Sequence, residues 1–245
     1  MSDLRFPSRV QKLRERLTKD DIDAIFISNG ENRRYLSGFV SSAGYLLVTQ
    51  NDAIVCTDFR YTEQAAQQAP GWRIDRIGGK PDWLANLVNE FEIKTLGFEA
   101  DDMTVGTLER FKKALDENDA TPELKPTSGI GVDLRAYKDA GELEILQRAI
   151  DIGDQAFEET ASYLAVGMTE KEAAWIFEKA VRERGAESIS FETIVAIGAN
   201  AARPHHATSD SKLVEGQPIV FDCGARYKGY CSDLTRTVVI GKADD

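Results

Sequence analysis

Two aspartates near the end of the chain, Asp222 and Asp233, have residue types and spacing that could form a metal site. Each lies in a short apolar stretch of PIVFDCGARYKGYCSDLTRTVVIG, residues 218–241, and a turn with glycine joins the two stretches. Paired residue numbers in an antiparallel ladder sum to a constant, so a four-residue loop at 226–229 would place Asp222 directly opposite Asp233. Opposed carboxylates repel each other by up to about 1 kcal/mol unless something offsets their charge. A divalent cation would do so, and hard oxygen ligands suit Mn²⁺ or a similar ion.

A simpler interpretation of this hairpin is a solvated tip whose aspartates cap turns. The neighbouring residues favour a buried sheet instead, because Val220 and Phe221 precede Asp222 and the apolar run 238–240 follows Asp233. A buried carboxylate needs a partner. The flanking sequence therefore strengthens the metal hypothesis.

The only two histidines of the chain, His205 and His206, lie in FETIVAIGANAARPHHATSD, where a predicted strand runs into a loop. Imidazole can donate or accept a proton near neutral pH, which suits peptide hydrolysis. A loop histidine is more often an ordinary surface residue. The residues alone leave both interpretations open.

Composition excludes several classes of function. The net charge of −11 and the pI near 4.8 argue against a nucleic-acid partner, because such proteins usually carry a basic patch. The chain shows no apolar run of membrane-spanning length and no signal-peptide core, so we expect a cytoplasmic protein without a membrane partner. Its three cysteines form no CxxC pair, which makes a disulfide framework improbable. Cys223 and Cys231 are interpreted as small packing residues.

The hydrophobic pattern predicts two domains. Residues 1–132 alternate between helical and strand patterns, which is typical of an α/β domain. The segment 124–139 has turn residues and no clear period, so we place the boundary there and assign 133–245 to a second domain. That domain begins with an amphipathic helix, and a helix with a capping box from Thr169 to Glu172 follows. The predicted apolar stripe of the first of these helices consists of Leu143, Leu146, Ile150, Phe157, Ala161 and Leu164.

Two stretches of the chain resemble a known family. FDCGARYKGYCSDLTRTVVIG resembles the first metal-ligand hairpin of the Xaa-Pro aminopeptidase and Xaa-Pro dipeptidase (prolidase) family, metallopeptidases with the pita-bread fold. NRRYLSGFVSSAGYLLV followed by TDFRYTEQA is similar to the creatinase-type N-terminal domain of these enzymes. The resemblance implies an α/β, ribonuclease H-like N-terminal domain and then the first half of an α+β pita-bread catalytic domain. It also implies a homodimer for the full-length protein.

The resemblance further implies a role for each candidate residue. Asp222 would be a ligand of one divalent ion, and Asp233 would bridge two. His205, directly behind Pro204, would donate a proton and orient the substrate, and His206 is the weaker candidate. The implied metal is Mn²⁺, with Co²⁺ or Zn²⁺ as alternatives, and the implied substrates are peptides with proline in the second position.

The family pattern has five metal ligands, and the last three, a histidine and two glutamates, are missing here. After Asp233 the sequence offers only Asp244 and Asp245 as acidic residues and no histidine. We therefore expect this chain alone to be an inactive fragment of a longer peptidase, or the product of a truncated reading frame. Two alternatives remain: a metal-free creatinase-like C–N hydrolase, and a non-catalytic pita-bread module for binding or dimerisation.

Overall fold

Helices and strands alternate through the first of two units in the computed structural model, which describes residues 5–243. This unit ends at Tyr137. Its helices are α1 (Arg5–Lys19), α2 (Gly30–Ser37), α3 (Thr62–Gln68), α4 (Asp82–Glu90), α5 (Val105–Glu117) and α6 (Ile130–Ala136). Its strands are β1 (Ala24–Ile27), β2 (Tyr45–Thr49), β3 (Ala53–Thr57), β4 (Arg73–Arg76), β5 (Thr95–Glu99) and β6 (Glu123–Thr127).

One six-stranded sheet forms the centre of this unit, in the order β4-β3-β2-β1-β5-β6. Strand β2 is antiparallel to both of its neighbours, whereas the other pairs are parallel. Apolar clusters cover both faces of the sheet. This explains why the AIFI sequence of β1 is apolar throughout and completely buried, as strands of a parallel sheet usually are. The predicted helix and strand alternation is confirmed.

The turn-rich segment 124–139 is more ordered than the sequence predicts. It contains most of β6 and all of α6. Strand β6 is the edge strand, paired only with β5, so Pro126 can lie in it although proline has no N–H to donate. Helix α6 is short, and only Ile130 and Gly131 are buried in it, which leaves too few apolar positions to show a period. The exact domain boundary stays a prediction.

The second unit, residues 138–243, has two long helices and six short strands. Its helices are α7 (Ala140–Tyr163) and α8 (Glu170–Glu183), and a short 3-10 helix covers Gly198–Ala202. Its strands are β7 (Ser188–Ile189), β8 (Ile194–Ile197), β9 (Ile219–Cys223), β10 (Ala225–Tyr227), β11 (Tyr230–Cys231) and β12 (Leu234–Val238). They form two three-stranded sheets, β12-β9-β8 and β11-β10-β7.

Helix α7 buries a different face from the one that the sequence predicts. The predicted apolar stripe includes Leu143, which is exposed, and Phe157, which is partly buried against Phe221 with ring centroids 5.6 Å apart. The fully buried positions are mostly small. Gly153 is one of them, and a Cβ there would lie 3.0 Å from the hydroxyl of Ser232. Small residues let the helix approach the hairpin closely, and an apolar count overlooks them.

Helix α8 begins as predicted. Thr169 accepts from the backbone N–H of Glu172, and the Glu172 side chain accepts from the backbone N–H of Thr169, which completes the capping box. None of the helices within residues 5–243 combines the length and apolar character that a membrane span requires.

Candidate metal centre and histidine loop

The hairpin that carries the two aspartates is paired in a different register from the predicted one. Asp222 lies opposite Thr235, so the expected direct pairing of Asp222 with Asp233 is wrong. The turn holds two residues, Lys228 and Gly229, instead of four. Both have positive φ, 45° and 78°, as a type I′ turn requires. Because the turn is centred one residue further along the chain than predicted, each residue pairs with one two positions later on the opposite strand.

Asp222 and Asp233 nevertheless share one face of the hairpin. On β9, Phe221 and Cys223 point into the apolar core, which places Asp222 on the opposite face. The observed register, extended through the gap between β11 and β12, sets Asp233 opposite Gly224 and therefore diagonal to Asp222. Diagonal neighbours across two strands are about 7 Å apart. A cation between the two carboxylates can still be reached by both.

Gly224 lies at the break between the two ladders of the hairpin. A Cβ at this position would lie 2.0 Å from the carbonyl oxygen of Ser232, which is far inside van der Waals contact. That carbonyl is held in place because it accepts a hydrogen bond from the hydroxyl of Ser190 at 2.7 Å. The close approach of the two backbones, directly beside both aspartates, requires glycine.

The carboxylates on this face have no positive partner. Asp222 is partly buried, and its Oδ1 accepts a hydrogen bond from Thr235 at 3.3 Å. Asp233 is exposed, and neither aspartate forms an ion pair with a residue in the described part of the chain. Burial, with a further contribution from the Asp222 charge, raises the pKa of the Cys223 thiol to about 12. Neither carboxylate thus has an ion-pair partner, although Arg236 lies near enough to oppose the effect of Asp222 on the pKa of Cys223.

These donors fit part of a metal site. Two carboxylates without a cationic partner suit a hard divalent ion, and such an ion would offset their repulsion. Across residues 5–243, however, no group of three or more His, Cys, Asp or Glu side chains is arranged to hold a metal. The structure thus brings together the two predicted ligands and adds no third.

The three cysteines differ in exposure. Cys56 and Cys223 are buried, as predicted for Cys223, whereas Cys231 is exposed on the short strand β11. The prediction that Cys231 packs in the hairpin is wrong. The strand that carries it pairs only with β10, so one edge of it stays open.

The loop after β8 carries both histidines and returns along the edge of that strand. The hydroxyl of Thr208 accepts from the backbone N–H of Val195 at 2.9 Å and donates to the carbonyl of Thr193 at 2.8 Å. Ile194, between these two residues, pairs with Asp222 on β9. Thr208 therefore lies beside Ile194 on the outer side of β8, and β8 separates this part of the loop from Asp222 on β9.

The two histidines have opposite environments. His205 is exposed and makes no hydrogen bond or ion pair with any described residue. His206 is buried, and its Nε2 lies 2.8 Å from Oε2 of Glu170. The environment of His205 leaves its imidazole available to a substrate. That of His206 is the environment of a structural residue.

Glu170 is a functional candidate that the sequence analysis missed. It is completely buried, and its carboxylate accepts hydrogen bonds from the backbone of Ile197, the amide of Asn200, the ring of His206, and both the backbone and the hydroxyl of Ser209. Burial opposes ionisation, but these hydrogen bonds outweigh it and lower the pKa of Glu170 to about 2. The only signal in the sequence is the density of polar residues in the loop.

The stabilisation that Glu170 provides is expected to disappear in acid. Its pKa falls from 4.5 to about 2 on folding, so its contribution is complete above pH 4.5 and is lost as the pH falls towards 2. Urea unfolding of the wild type and of Glu170→Gln, followed at several pH values from 6 to 2.5, measures this difference. The difference in the free energy of unfolding between the wild type and Glu170→Gln should decrease as the pH falls. A gap independent of pH would show that the ionised form carries no advantage.

A separate cavity of about 710 Å³ lies in the first unit. It opens beyond the carboxyl ends of β1, β3, β4 and β5, where open α/β sheets often bind ligands. Arg60 lines it and forms a bidentate ion pair with Asp58, and none of the predicted site residues contributes to it. The carboxylate of Asp58 also accepts a hydrogen bond from the backbone N–H of Arg60.

Comparison with known proteins finds a match to a family model in each of the two units. Residues 9–137 match the creatinase/prolidase N-terminal domain. The chain belongs to the creatinase/prolidase family. Residues 144–245 match metallopeptidase family M24, and a metallopeptidase family implies a divalent metal cofactor. The predicted recognition and the predicted fold class, a creatinase-type domain followed by part of a pita-bread domain, are confirmed.

Three relatives show how far the similarity of this family member extends. An uncharacterized peptidase, YqhT, of Bacillus subtilis is 38% identical over 97% of this chain and 66% of its own length. The structure of a Xaa-Pro dipeptidase from Bacillus anthracis is 39% identical, with a TM-score of 0.92 over 98% of this chain and 66% of its own. That of an X-Pro aminopeptidase from Thermotoga maritima is 36% identical, with a TM-score of 0.86 over 95% and 66%. The chain thus spans just under two thirds of these relatives.

Proposed function

We propose that this chain supplies two metal ligands, Asp222 and Asp233, and the catalytic histidine, His205, of a peptidase that cleaves the bond before proline. The observation that carries the proposal is the pair of carboxylates without a cationic partner on one face of the hairpin, within the region that matches family M24. Relatives named as Xaa-Pro dipeptidase and X-Pro aminopeptidase support the choice of substrate.

Each of these residues has a task in amide hydrolysis. Asp222 would be a ligand of one divalent ion and Asp233 a ligand of two, together with ligands from outside the described residues. Divalent ions so held lower the pKa of water and make hydroxide available at neutral pH. The carbonyl carbon gains the hydroxide oxygen, the C–N bond to proline breaks, and the proline nitrogen takes up a proton. His205 donates that proton or stabilises the charge that develops before it is transferred.

The oxygen donors favour Mn²⁺, with Co²⁺ or Zn²⁺ as alternatives. Ligands beyond Asp222 and Asp233 would have to come from outside the described residues, so the complete centre belongs to a longer protein. Homodimerisation through the creatinase-type domain and a cytoplasmic location are part of the same proposal.

A peptidase assay tests this function. A protein that contains this chain together with the remaining third of its relatives should cleave Xaa-Pro dipeptides or Xaa-Pro-Xaa tripeptides. EDTA should abolish cleavage, and Mn²⁺ should restore it. Matched peptides with alanine in place of proline are the control and should be cleaved far more slowly. Hydrolysis that persists in EDTA would instead identify a metal-free hydrolase of the creatinase type.

A non-catalytic module is the second candidate, and the lack of a third metal ligand in the described residues favours it. The two candidates differ in their response to metal. Saturating Mn²⁺ should raise the melting temperature of a protein with a functional site, because a ligand that binds only the folded state stabilises it. No shift and no cleavage in the longer protein would favour the binding module.

A further inference from the structure

One buried carboxylate holds the loop that carries both histidines. Residues 198–211 contain no regular element except the 3-10 helix. Their contacts instead converge on the first residue of α8, where Glu170 accepts five hydrogen bonds and its own backbone N–H donates to the carbonyl of Ser211 at 3.0 Å. The neighbouring N–H of Lys171 donates to the carbonyl of Ser209. The loop is thus fastened to the start of α8 from both its side chains and its backbone.

We propose that Glu170 is the positioning residue for His205: by holding Asn200, which precedes His205 in the chain, and His206 and Ser209, which follow it, Glu170 fixes the loop so that the exposed imidazole is presented in one place. The inference rests on the proposed function for what His205 does there. Glu170 itself touches neither metal nor substrate in this assignment. Glu170 acts through His206, which is adjacent to His205 in the chain. The buried ring of His206 is held by Glu170 and thereby fixes the backbone next to the proposed catalytic histidine.

The charge of Glu170 decides how its partners are protonated. An ionised carboxylate only accepts hydrogen bonds, so Nε2 of His206 must carry the hydrogen that it shares with Oε2. The hydroxyl of Ser209 must likewise point its hydrogen at the carboxylate, at 2.7 Å. Both groups are therefore held in a single orientation.

Glutamine cannot replace Glu170 although it has the same shape. Oε1 receives two donors, from Ile197 and Asn200, and Oε2 receives three, from His206 and Ser209. An amide places an NH₂ group on one side or the other, so in either orientation it faces a fixed backbone donor, the N–H of Ile197 or that of Ser209, and the side-chain partners on that side must reorient to accept. Glu170→Gln is therefore a sharp test that leaves the volume unchanged.

The partners of Glu170 lie in the loop and at the last residue of β8. The apolar core of this unit, with Phe177 and Phe221 among its fully buried members, includes only Ile197 of these partners, and Ile197 contacts Glu170 through its backbone N–H. Loss of the carboxylate should accordingly release the loop while α8 and the hairpin stay folded. This separates a positioning role from general stabilisation.

The test uses this chain with ¹⁵N-labelled histidine, because it has only two histidines and each gives its own signals. In the wild type, His206 should show a single Nε2–H tautomer with slow proton exchange. In Glu170→Gln this signature should be lost, and amide hydrogen exchange in residues 198–211 should accelerate about 100-fold, whereas α8 and β9 keep their protection. Glu172→Gln is the matched control, since Glu172 lies one half-turn away and its carboxylate accepts only from Thr169.

A milder variant guards against loss of the fold. Ser209→Ala removes one donor to Glu170, the 2.7 Å hydroxyl contact, together with the contacts of that hydroxyl with Ser211, and should accelerate exchange in the same loop about fivefold. Unchanged loop exchange in both Glu170→Gln and Ser209→Ala would overturn the proposal. So would an equal effect in Glu172→Gln.

An activity measurement separates this inference from the proposed function. In the longer, metal-loaded protein, Glu170→Gln should lower kcat for Xaa-Pro peptides about 100-fold and leave KM within about threefold, because His205 is misplaced while the substrate still binds. A protein that never cleaves such peptides would refute the peptidase proposal, yet the loop measurements would stand. Normal kcat in Glu170→Gln with a released loop would refute the positioning role alone.

Discussion

Replacing either Asp222 or Asp233 by asparagine is expected to lower kcat/KM for Xaa-Pro peptides by at least about 1,000-fold in a protein that contains the complete centre. Asparagine keeps the shape of the side chain and removes the negative charge that would bind the ion. Asp233→Asn should have the larger effect, because Asp233 would be a ligand of both ions and its loss would lower the affinity of the site for both. Metal content after dialysis, measured beside the kinetics, should fall in parallel.

Asp116→Asn is a suitable control for these substitutions. Asp116 is exposed on α5 of the first unit, away from the hairpin in sequence and outside the unit that carries it. It should leave both activity and metal content unchanged. If Asp222→Asn and Asp233→Asn each retained wild-type activity, the ligand assignment would be wrong.

Gly224→Ala is expected to destabilise the second unit by about 3 kcal/mol, which is at the upper end for overpacking. The new Cβ would meet the backbone carbonyl of Ser232 at 2.0 Å, and a backbone atom that is held by Ser190 has little room to move. The strands must separate at the point where Asp222 and Asp233 face each other diagonally. Metal affinity in the longer protein should therefore fall as well.

The measurement is urea unfolding combined with hydrogen exchange at the amides of β9 and β12. Gly78→Ala is the control, because nothing lies within 4 Å of a Cβ at that position and its φ is not positive. It should change the free energy of unfolding by less than about 0.5 kcal/mol. Wild-type stability in Gly224→Ala would show that the hairpin can open there without strain.

The register of the hairpin shows where reasoning from sequence fails in this chain. The apolar residues around Asp222 and Asp233 correctly predict two paired strands, but the turn was expected at four residues. Lys228-Gly229 is a type I′ turn without the Asn-Gly or Asp-Gly pair that usually identifies one, and Lys228 adopts a positive φ of 45°. The prediction that both aspartates lie on one face still holds, because the strand register differs from the predicted one by an even number of residues.

Buried polar residues are the other feature that the sequence conceals. Glu170 follows the capping threonine at a helix start, where a carboxylate is ordinarily solvated, so only the structure shows that it is completely buried. The choice between His205 and His206 came from the family resemblance and not from their residue types. The structure adds that His206 already has a buried partner, while the catalytic role of His205 stays a prediction.

The unequal burial of the cysteines allows the hairpin of Asp222 and Asp233 to be labelled selectively. Cys56 and Cys223 are inaccessible, and burial raises the pKa of both thiols, so neither offers much thiolate to a reagent. Cys231 is exposed two residues before Asp233. A maleimide fluorophore or spin label should therefore attach at one position without any engineered mutation. A label at Cys231 would report on ion binding, and on the binding of another molecule, at the face of the hairpin that carries Asp222 and Asp233.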